Sequence, residues 1–383
     1  MTALALRARD PAAERRIVAL PGGELTVEVR RAERPLDSLC TFAARANPRR
    51  PHLIVSRVLG RHLPTRPSVM RNASDALAAK LPPDLPGPVL LVGLAETAVC
   101  LGQSVHEAYV RRTGRADVVF LPSTRQQADA RTLLLRFEEA HSHAPAHLLY
   151  APDAPRARTL ATTTQTLVLV DDELSTGATF AGLIKAMAEV VPTLQRVVAL
   201  TLTDWASGCW TRDVRLPTNS WSLLVGSLNW CGDGRPAPSL TGSAAQLGRA
   251  PAASAWGREG LIEPFEDDAL APILDCVGAL PSQVTVLGDG EFTYPPFRLA
   301  ERLERSGRRV TMQAVSRSPV LPAGPIDGVE TLNDSYGSGA PMYLYGQERP
   351  GAVLFCHETP SDAVDHAFLK RIGARPVFFG TRP

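Results

Sequence analysis

The residues best suited to chemistry fall in one run, Leu167-Val-Leu-Val-Asp-Asp-Glu-Leu-Ser-Thr-Gly-Ala-Thr179. Its apolar start reads as a strand buried on both faces. Two acids, Asp171 and Asp172, stand at the C-terminal end, where parallel sheets bind ligands. A loop of small residues then opens a helix. The backbone N–H groups of Ser175, Thr176, Gly177, Ala178 and Thr179 face a helix N-terminus, which favours an anion such as phosphate. Gly177 lets the backbone approach that anion closely. The hydroxyls of Ser175, Thr176 and Thr179 can donate to it. Asp171 and Asp172 suit the hydroxyl pair of a ribose, directly or through Mg2+. A sugar 5-phosphate with free 2- and 3-hydroxyls satisfies both ends of the run. Two acids that merely cap a helix do not account for the whole loop. A Walker-type loop needs Lys after its final Gly; here Ala178 follows Gly177, and Lys185 lies too far along the helix.

The elements that position this run alternate between strand and helix. Strands are predicted at Val89–Val92, Val118–Leu121, Leu148–Tyr150, Leu167–Val170 and Arg196–Leu202. A polar helix is predicted over Ser68–Lys80, and others follow residue 98, span Arg131–Glu138 and run from 179 to Val191. Upstream, a loose arm leads into a strand at Glu24–Val29, a short helix covers Leu36–Arg45, and His52–Ser56 is apolar. The composition shifts to Gly, Pro, Ser and Ala at about 232–254, as in a linker. A second series follows, with strands at Val284–Leu287, Val310–Val315, Ala352–Cys356 and Pro376–Phe379 and helices at Phe297–Ser306 and Asp362–Ile372. The pattern predicts an α/β fold with a mainly parallel sheet, then a second, smaller α/β domain. The boundaries read as 1–235, a linker over 236–255, and 256–383.

Composition narrows the function classes. The 383 residues are 44% hydrophobic and 21% charged, enough for real cores. Lys and Arg number 41 against 39 Asp and Glu, a net charge of +2 that argues against nucleic-acid coating. Lysine occurs at Lys80, Lys185 and Lys370 alone. No apolar run is long enough to span a membrane. The six cysteines are scattered with no CxxC pair, as in a reduced cytoplasmic protein. The segment Met1–Arg16, with Arg7, Arg9 and Asp10 among its alanines, lacks the apolar core of a signal peptide.

The Asp171–Thr179 run resembles the PRPP-binding motif of type I phosphoribosyltransferases. That resemblance implies a Rossmann-like domain, PRPP as substrate, and Mg2+ held at Asp171 and Asp172, directly or indirectly. It further implies a pyrophosphate-binding loop after the first sheet strand, often after an unusual peptide bond, here Gly93, Ala95, Glu96, Thr97 and Ala98. An ordinary strand-to-helix turn reads the same way. The stretch Ser123–His143 stands where such enzymes carry a mobile hood loop. Arg125 and Arg131 can fork onto pyrophosphate oxygens, and Glu138, His141 and His143 can protonate or orient the leaving group. Orotate enzymes use a loop lysine there, and this segment has none. His141-x-His143 beside Glu138 and Glu139 is also compatible with a bound transition metal, although no third ligand is evident.

A narrower resemblance rests on Phe42–Arg50, Val55–Pro64, Gly93–Ala98 and Phe137–Ala144, and on Val315-Ser-Arg-Ser-Pro-Val320, Gly290–Pro296 and Asn333–Pro341. These resemble the orotate-phosphoribosyltransferase-like proteins of tellurite-resistance and stress-response operons, with their C-terminal TRSP domain. In the second domain, Ser316, Arg317 and Ser318 can hold a phosphate or carboxylate, and Glu291, Asp334 and Tyr336 can contact a sugar or base. Buried turns that shape the contact between domains explain them equally well. Trp205, Trp210, Trp221 and Trp230 suit either a base-stacking surface or a packed cover, and Arg57, Arg61 and His62 either an anionic pocket or solvent. The expected function is phosphoribosyl transfer from PRPP to a small base-like acceptor, or its reverse, in making or salvaging a nucleoside-like metabolite. The alternative is a PRPP- or nucleotide-sensing regulator without turnover. Expected partners are PRPP and the acceptor, a second copy in a homodimer, and enzymes of the same operon, with no nucleic acid and no membrane.

Overall fold

A computed structural model of the chain describes residues 14–47, 50–138, 146–206, 208–234, 247–251 and 260–380. The chain opens with β1 (Glu14–Leu20), β2 (Gly23–Ala32), α1 (Leu36–Leu39), β3 (Cys40–Ala44), β4 (His52–Ser56) and α2 (Pro67–Ala78). There follow β5 (Val89–Gly93), α3 (Val99–Thr113), β6 (Val118–Pro122), β7 (Gln126–Gln127), β8 (Leu133–Glu138) and β9 (Ala146–Tyr150). Next are α4 (Pro155–Thr162), β10 (Thr166–Leu174), α5 (Ala178–Val190), β11 (Arg196–Asp204) and β12 (Thr218–Gly232).

Seven of these strands form one sheet in the order β1-β2-β12-β11-β10-β5-β6. The five from β12 to β6 run parallel, and the β1–β2 hairpin adds an antiparallel edge. Side chains alternate between faces. Leu91, Val168, Val170, Val198 and Leu200 meet Leu77 of α2 and Leu101 and Val105 of α3. Val92, Leu167, Leu169 and Val197 meet Ala157 and Ala161 of α4 and Leu183 and Ile184 of α5. Burial on both faces explains the unbroken apolar runs.

The second series runs β13 (Gly248–Arg249), α6 (Ala271–Val277), β14 (Gln283–Gly288), α7 (Tyr294–Arg305), β15 (Arg309–Ala314) and β16 (Val329–Asn333). It ends with β17 (Pro341–Tyr345), β18 (Ala352–His357), α8 (His366–Arg371) and β19 (Ala374–Phe378). A four-stranded parallel sheet, β15-β14-β18-β19, has α6 and α7 against one face and α8 with the β16–β17 pair against the other. The expected fold class, a parallel α/β unit followed by a smaller one, is what the chain adopts.

The two series share a boundary. Met70 of α2 and Cys100 of α3 belong to the same apolar cluster as Phe297 and Leu303 of α7. Around it Glu107 accepts from Arg298 at 2.6 Å and Arg71 at 3.3 Å, and also from the Tyr294 hydroxyl. Arg71 in turn reaches Glu301 at 2.8 Å. Against the cost of burial, Arg71 and Arg298 hold the Glu107 acid below its ordinary range.

Four local expectations are corrected. The supposed N-terminal arm includes the β1–β2 hairpin, closed at Pro21-Gly22 with φ +91° at Gly22. The helix expected over Leu36–Arg45 stops at Leu39, and β3 begins. The helix expected over Arg131–Glu138 is β8, with Leu135 and Phe137 buried on alternate positions. Its leucines favour helix intrinsically, but pairing with β9 overrides a weak preference. The strand around Leu148–Tyr150 is therefore half of a hairpin and not part of the large sheet.

Candidate active site

Register brings the two loops together. Gly93 on β5 is level with Val170 on β10, and the Leu94 N–H donates to the Val170 carbonyl at 3.0 Å. The Gly93–Ala98 loop therefore leaves the sheet beside Asp171. Gly93 is required by space: a Cβ there would lie 2.7 Å from the Ala98 carbonyl. The Ala95–Glu96 peptide bond within this loop is cis.

Asp171, Asp172 and Glu173 are all partly buried at the end of β10. The Asp172 N–H donates to Asp171 Oδ1 at 2.9 Å. Burial, and then the adjacent Glu173 carboxylate, push the Asp172 acid up to about 6. Glu173 Oε1 is held at 2.5 Å by Arg50, from the turn of the β3–β4 hairpin. That hairpin thus overlies the same strand end.

The Ser175–Thr179 loop enters α5 through Gly177, whose φ is +78°. A Cβ on Gly177 would lie 2.3 Å from Trp210 Cβ. The indole packs edge-on against Phe180, with ring centroids 5.8 Å apart. Trp210 is therefore the floor of this loop. Trp205 packs against Phe42 of the hairpin, and Trp221 and Trp230 pack against the core of the large sheet. Of the two readings of the tryptophans, the packed cover describes them.

Ser123 and Arg125 lie next to the Gly93–Ala98 loop. The Ala95 N–H donates to Ser123 Oγ at 2.9 Å, and the same hydroxyl shares a hydrogen bond with His147 Nδ1 at 3.1 Å. His147 is buried on β9 and stacks on Phe137. Arg125 is buried, with Nη2 3.5 Å from the Ala95 carbonyl. Arg131 lies in the turn before β8. Glu138 ends β8, exposed, with Arg136 3.7 Å away. His141, His143 and Glu139 lie outside the described residues. Ser123 and His147 were missed by sequence reasoning; only the polar Ser-Thr-Arg-Gln run after a strand hinted at the first.

The second-domain candidates also come to this edge. Glu291 accepts from the Thr124 hydroxyl at 2.5 Å and the Arg125 N–H at 2.8 Å. The Arg317 N–H points at Glu96, 3.3 Å from Oε1. Arg317 Nη2 meets Asp334 at 3.1 Å, and Asp334 also takes the Ser338 N–H. Ser316 Oγ accepts from the Ser318 N–H at 3.1 Å, and Tyr336 donates to Glu358 at 2.8 Å. Arg61 and His62 are buried, not solvated. Burial, then the neighbouring Arg61, pushes the His62 imidazolium down to about 3, so His62 is neutral at physiological pH.

Residues 39–226 match a family model for a phosphoribosyl transferase, and residues 267–371 match the TRSP domain that lies C-terminal to it. The chain is a phosphoribosyltransferase with a C-terminal TRSP domain. No curated protein matches it. Among solved structures, this phosphoribosyltransferase is similar to adenine phosphoribosyltransferases. The Rhodothermus marinus protein is 15% identical, with 48% of this chain and 94% of that one covered and a TM-score of 0.32. The Saccharomyces cerevisiae protein is 13% identical, with 41% and 79% covered and a TM-score of 0.29. The Trypanosoma brucei protein, solved with AMP, pyrophosphate and ribose-5-phosphate, is 14% identical, with 49% and 77% covered and a TM-score of 0.32. Among the described residues, no helix is long and apolar enough to cross a membrane.

Proposed function

We propose that this phosphoribosyltransferase moves a 5-phosphoribosyl group from PRPP to the nitrogen of a base-like acceptor, or runs the reverse reaction. One observation carries the reading. The β5–β10 register sets the acids of β10 between two loops, one opening a helix N-terminus and one beginning at Gly93. The Ser175–Thr179 amides and hydroxyls receive the 5-phosphate. Asp171 and Asp172 accept from the ribose hydroxyls and lie near the carbon where positive charge develops. The Gly93–Ala98 loop and Arg125 receive the departing pyrophosphate.

Mg2+ fits the donor set. Asp171 and Asp172 offer hard oxygens, and burial beside Glu173 leaves negative charge there that a cation relieves. Among the described residues no three His, Cys, Asp or Glu side chains converge to hold an ion alone, so it would be shared with substrate oxygens. When bound, Mg2+ supplies charge neutralisation at the pyrophosphate.

Calorimetric titration with Mg-PRPP tests the assignment. The wild type is expected to bind, and Asp171→Asn/Asp172→Asn to bind at least about tenfold more weakly. Equal affinity would remove the acids from the site. Pyrophosphate release across a panel of bases then identifies the acceptor.

A further inference from the structure

The Ser316–Val320 turn meets the first domain on two sides of the proposed phosphoribosyl site. On one side the Arg317 N–H lies 3.3 and 3.4 Å from the two carboxylate oxygens of Glu96. On the other, the Ala46 N–H donates to the Pro319 carbonyl at 3.2 Å and the Leu321 N–H to the Ala44 carbonyl at 2.9 Å. Arg45 and Val320 bridge as antiparallel strands between these bonds. The turn thus joins the Gly93–Ala98 loop to the β3–β4 hairpin, whose Arg50 reaches Glu173.

Arg61 binds the same junction from within. Arg61 is 3% exposed. It donates to the Gly290 carbonyl at 2.5 Å and the Val315 carbonyl at 2.9 Å in the second domain. In the first it donates to the Glu96 carbonyl at 2.7 Å and pairs with the Glu96 carboxylate at 3.0 Å. Glu291 makes a third contact, gripping Thr124 and the Arg125 N–H one residue beyond Ser123. An interface built only for adhesion gains little from buried carboxylates, whose desolvation cancels much of their attraction. Here Glu291 bonds a hydroxyl and a main-chain N–H of the 123–126 segment, and Glu96 bonds a main-chain N–H of the Ser316–Val320 turn beside its pairing with Arg61, so both fix loop shape.

We propose that the second domain is a working part of the phosphoribosyl site, with Glu96 and Glu291 as positioning residues through which it holds the Gly93–Ala98 loop and the Ser123–Gln126 segment in the shape that receives pyrophosphate. The proposal rests on the reading of the site given above. Loop placement matters at this scale, because errors of an ångström are costly in rate and affinity.

The test uses the full chain. Glu291→Ala is compared with wild type by pyrophosphate-release kinetics and by amide hydrogen exchange. The Ala variant is expected to raise KM for Mg-PRPP about tenfold, with kcat changed less than about threefold. Exchange at 93–98 and 123–127 is expected to speed by about tenfold, with β14 unchanged. Glu291→Gln, which keeps one acceptor oxygen, is expected to restore most of both. Wild-type exchange and KM in a folded Ala variant would overturn the proposal. So would faster exchange with unchanged KM, because the loops would then be held for stability alone. If Glu291→Ala does not fold, Glu96→Gln puts the same question to the other contact, with the same two outcomes expected. If the wild type binds no PRPP, the phosphoribosyl reading fails, and the role in pyrophosphate binding fails with it; exchange alone then reports whether the second domain holds the loops.

Discussion

Asp172 carries a charge that folding disfavours. Its acid lies at about 6 in the folded chain, against about 3.9 for an exposed aspartate. The sign follows directly. Its contribution to stability is fully present below about pH 4 and is lost as pH rises through about 6. Asp172→Asn is therefore expected to stabilise the protein at pH 8 by on the order of 1–3 kcal/mol, and by much less at pH 4. Denaturant melts at the two pH values check this, and an equal gain at both would refute it. The same titration predicts that Mg-PRPP affinity falls as pH drops below about 6, because protonation removes an acceptor. Gly177 is constrained twice, by a φ of +78° and by Trp210 against its α-carbon. Gly177→Ala is expected to cost about 1–3 kcal/mol in melts and to weaken Mg-PRPP binding in titration.

At the scale of elements, the Gly93–Ala98 loop depends on a hairpin outside the main sheet. Ser123→Ala removes the acceptor of the Ala95 N–H and the neighbour of His147, both buried. The expected cost is about 1–3 kcal/mol, with weaker PRPP binding, read by thermal melts and titration. The β10–α5 unit was legible in the sequence because strand, acids, loop and helix follow one another within 25 residues, Thr166 to Val190. The Gly93 loop was legible for the same reason. The β8–β9 hairpin was not, since Leu133–Glu138 takes its identity from pairing across residues 139–145 and from packing on α5. Nor was β12, where a strand of 15 residues read as a cluster of tryptophans because its partners, β2 and β11, are remote. Glu96, Arg61 and Glu291 show the same limit among site residues. Their types were visible, but their partners lie 35 to 254 residues away.

At the scale of the whole molecule, α7 seats the second domain on α2 and α3 around Glu107. Removing one member of a buried ion network strands the rest, at about 3–5 kcal/mol. Glu107→Ala is expected to lower the unfolding free energy by that amount, to lower the unfolding midpoint with it, and to split one cooperative transition into two, seen by calorimetry. A single transition of unchanged midpoint would contradict it. The Glu107 acid is held low in the folded chain, so its contribution is present above the ordinary glutamate range and is lost as pH falls below that range and through the lower folded value. Separation of the domains in acid, read by scattering, is the expected result.

In the second domain Arg61 reaches main-chain carbonyls, at Gly290 and Val315, and among the described residues no side chain there. Substitution there changes side chains and leaves those acceptors in place, so the far surface can drift without breaking the link. Deletion of the whole domain would instead remove both carbonyl acceptors and open the Arg61–Glu96 pair to solvent. Side-chain substitution on that face therefore disturbs the link less than loss of the domain, which takes both acceptors at once.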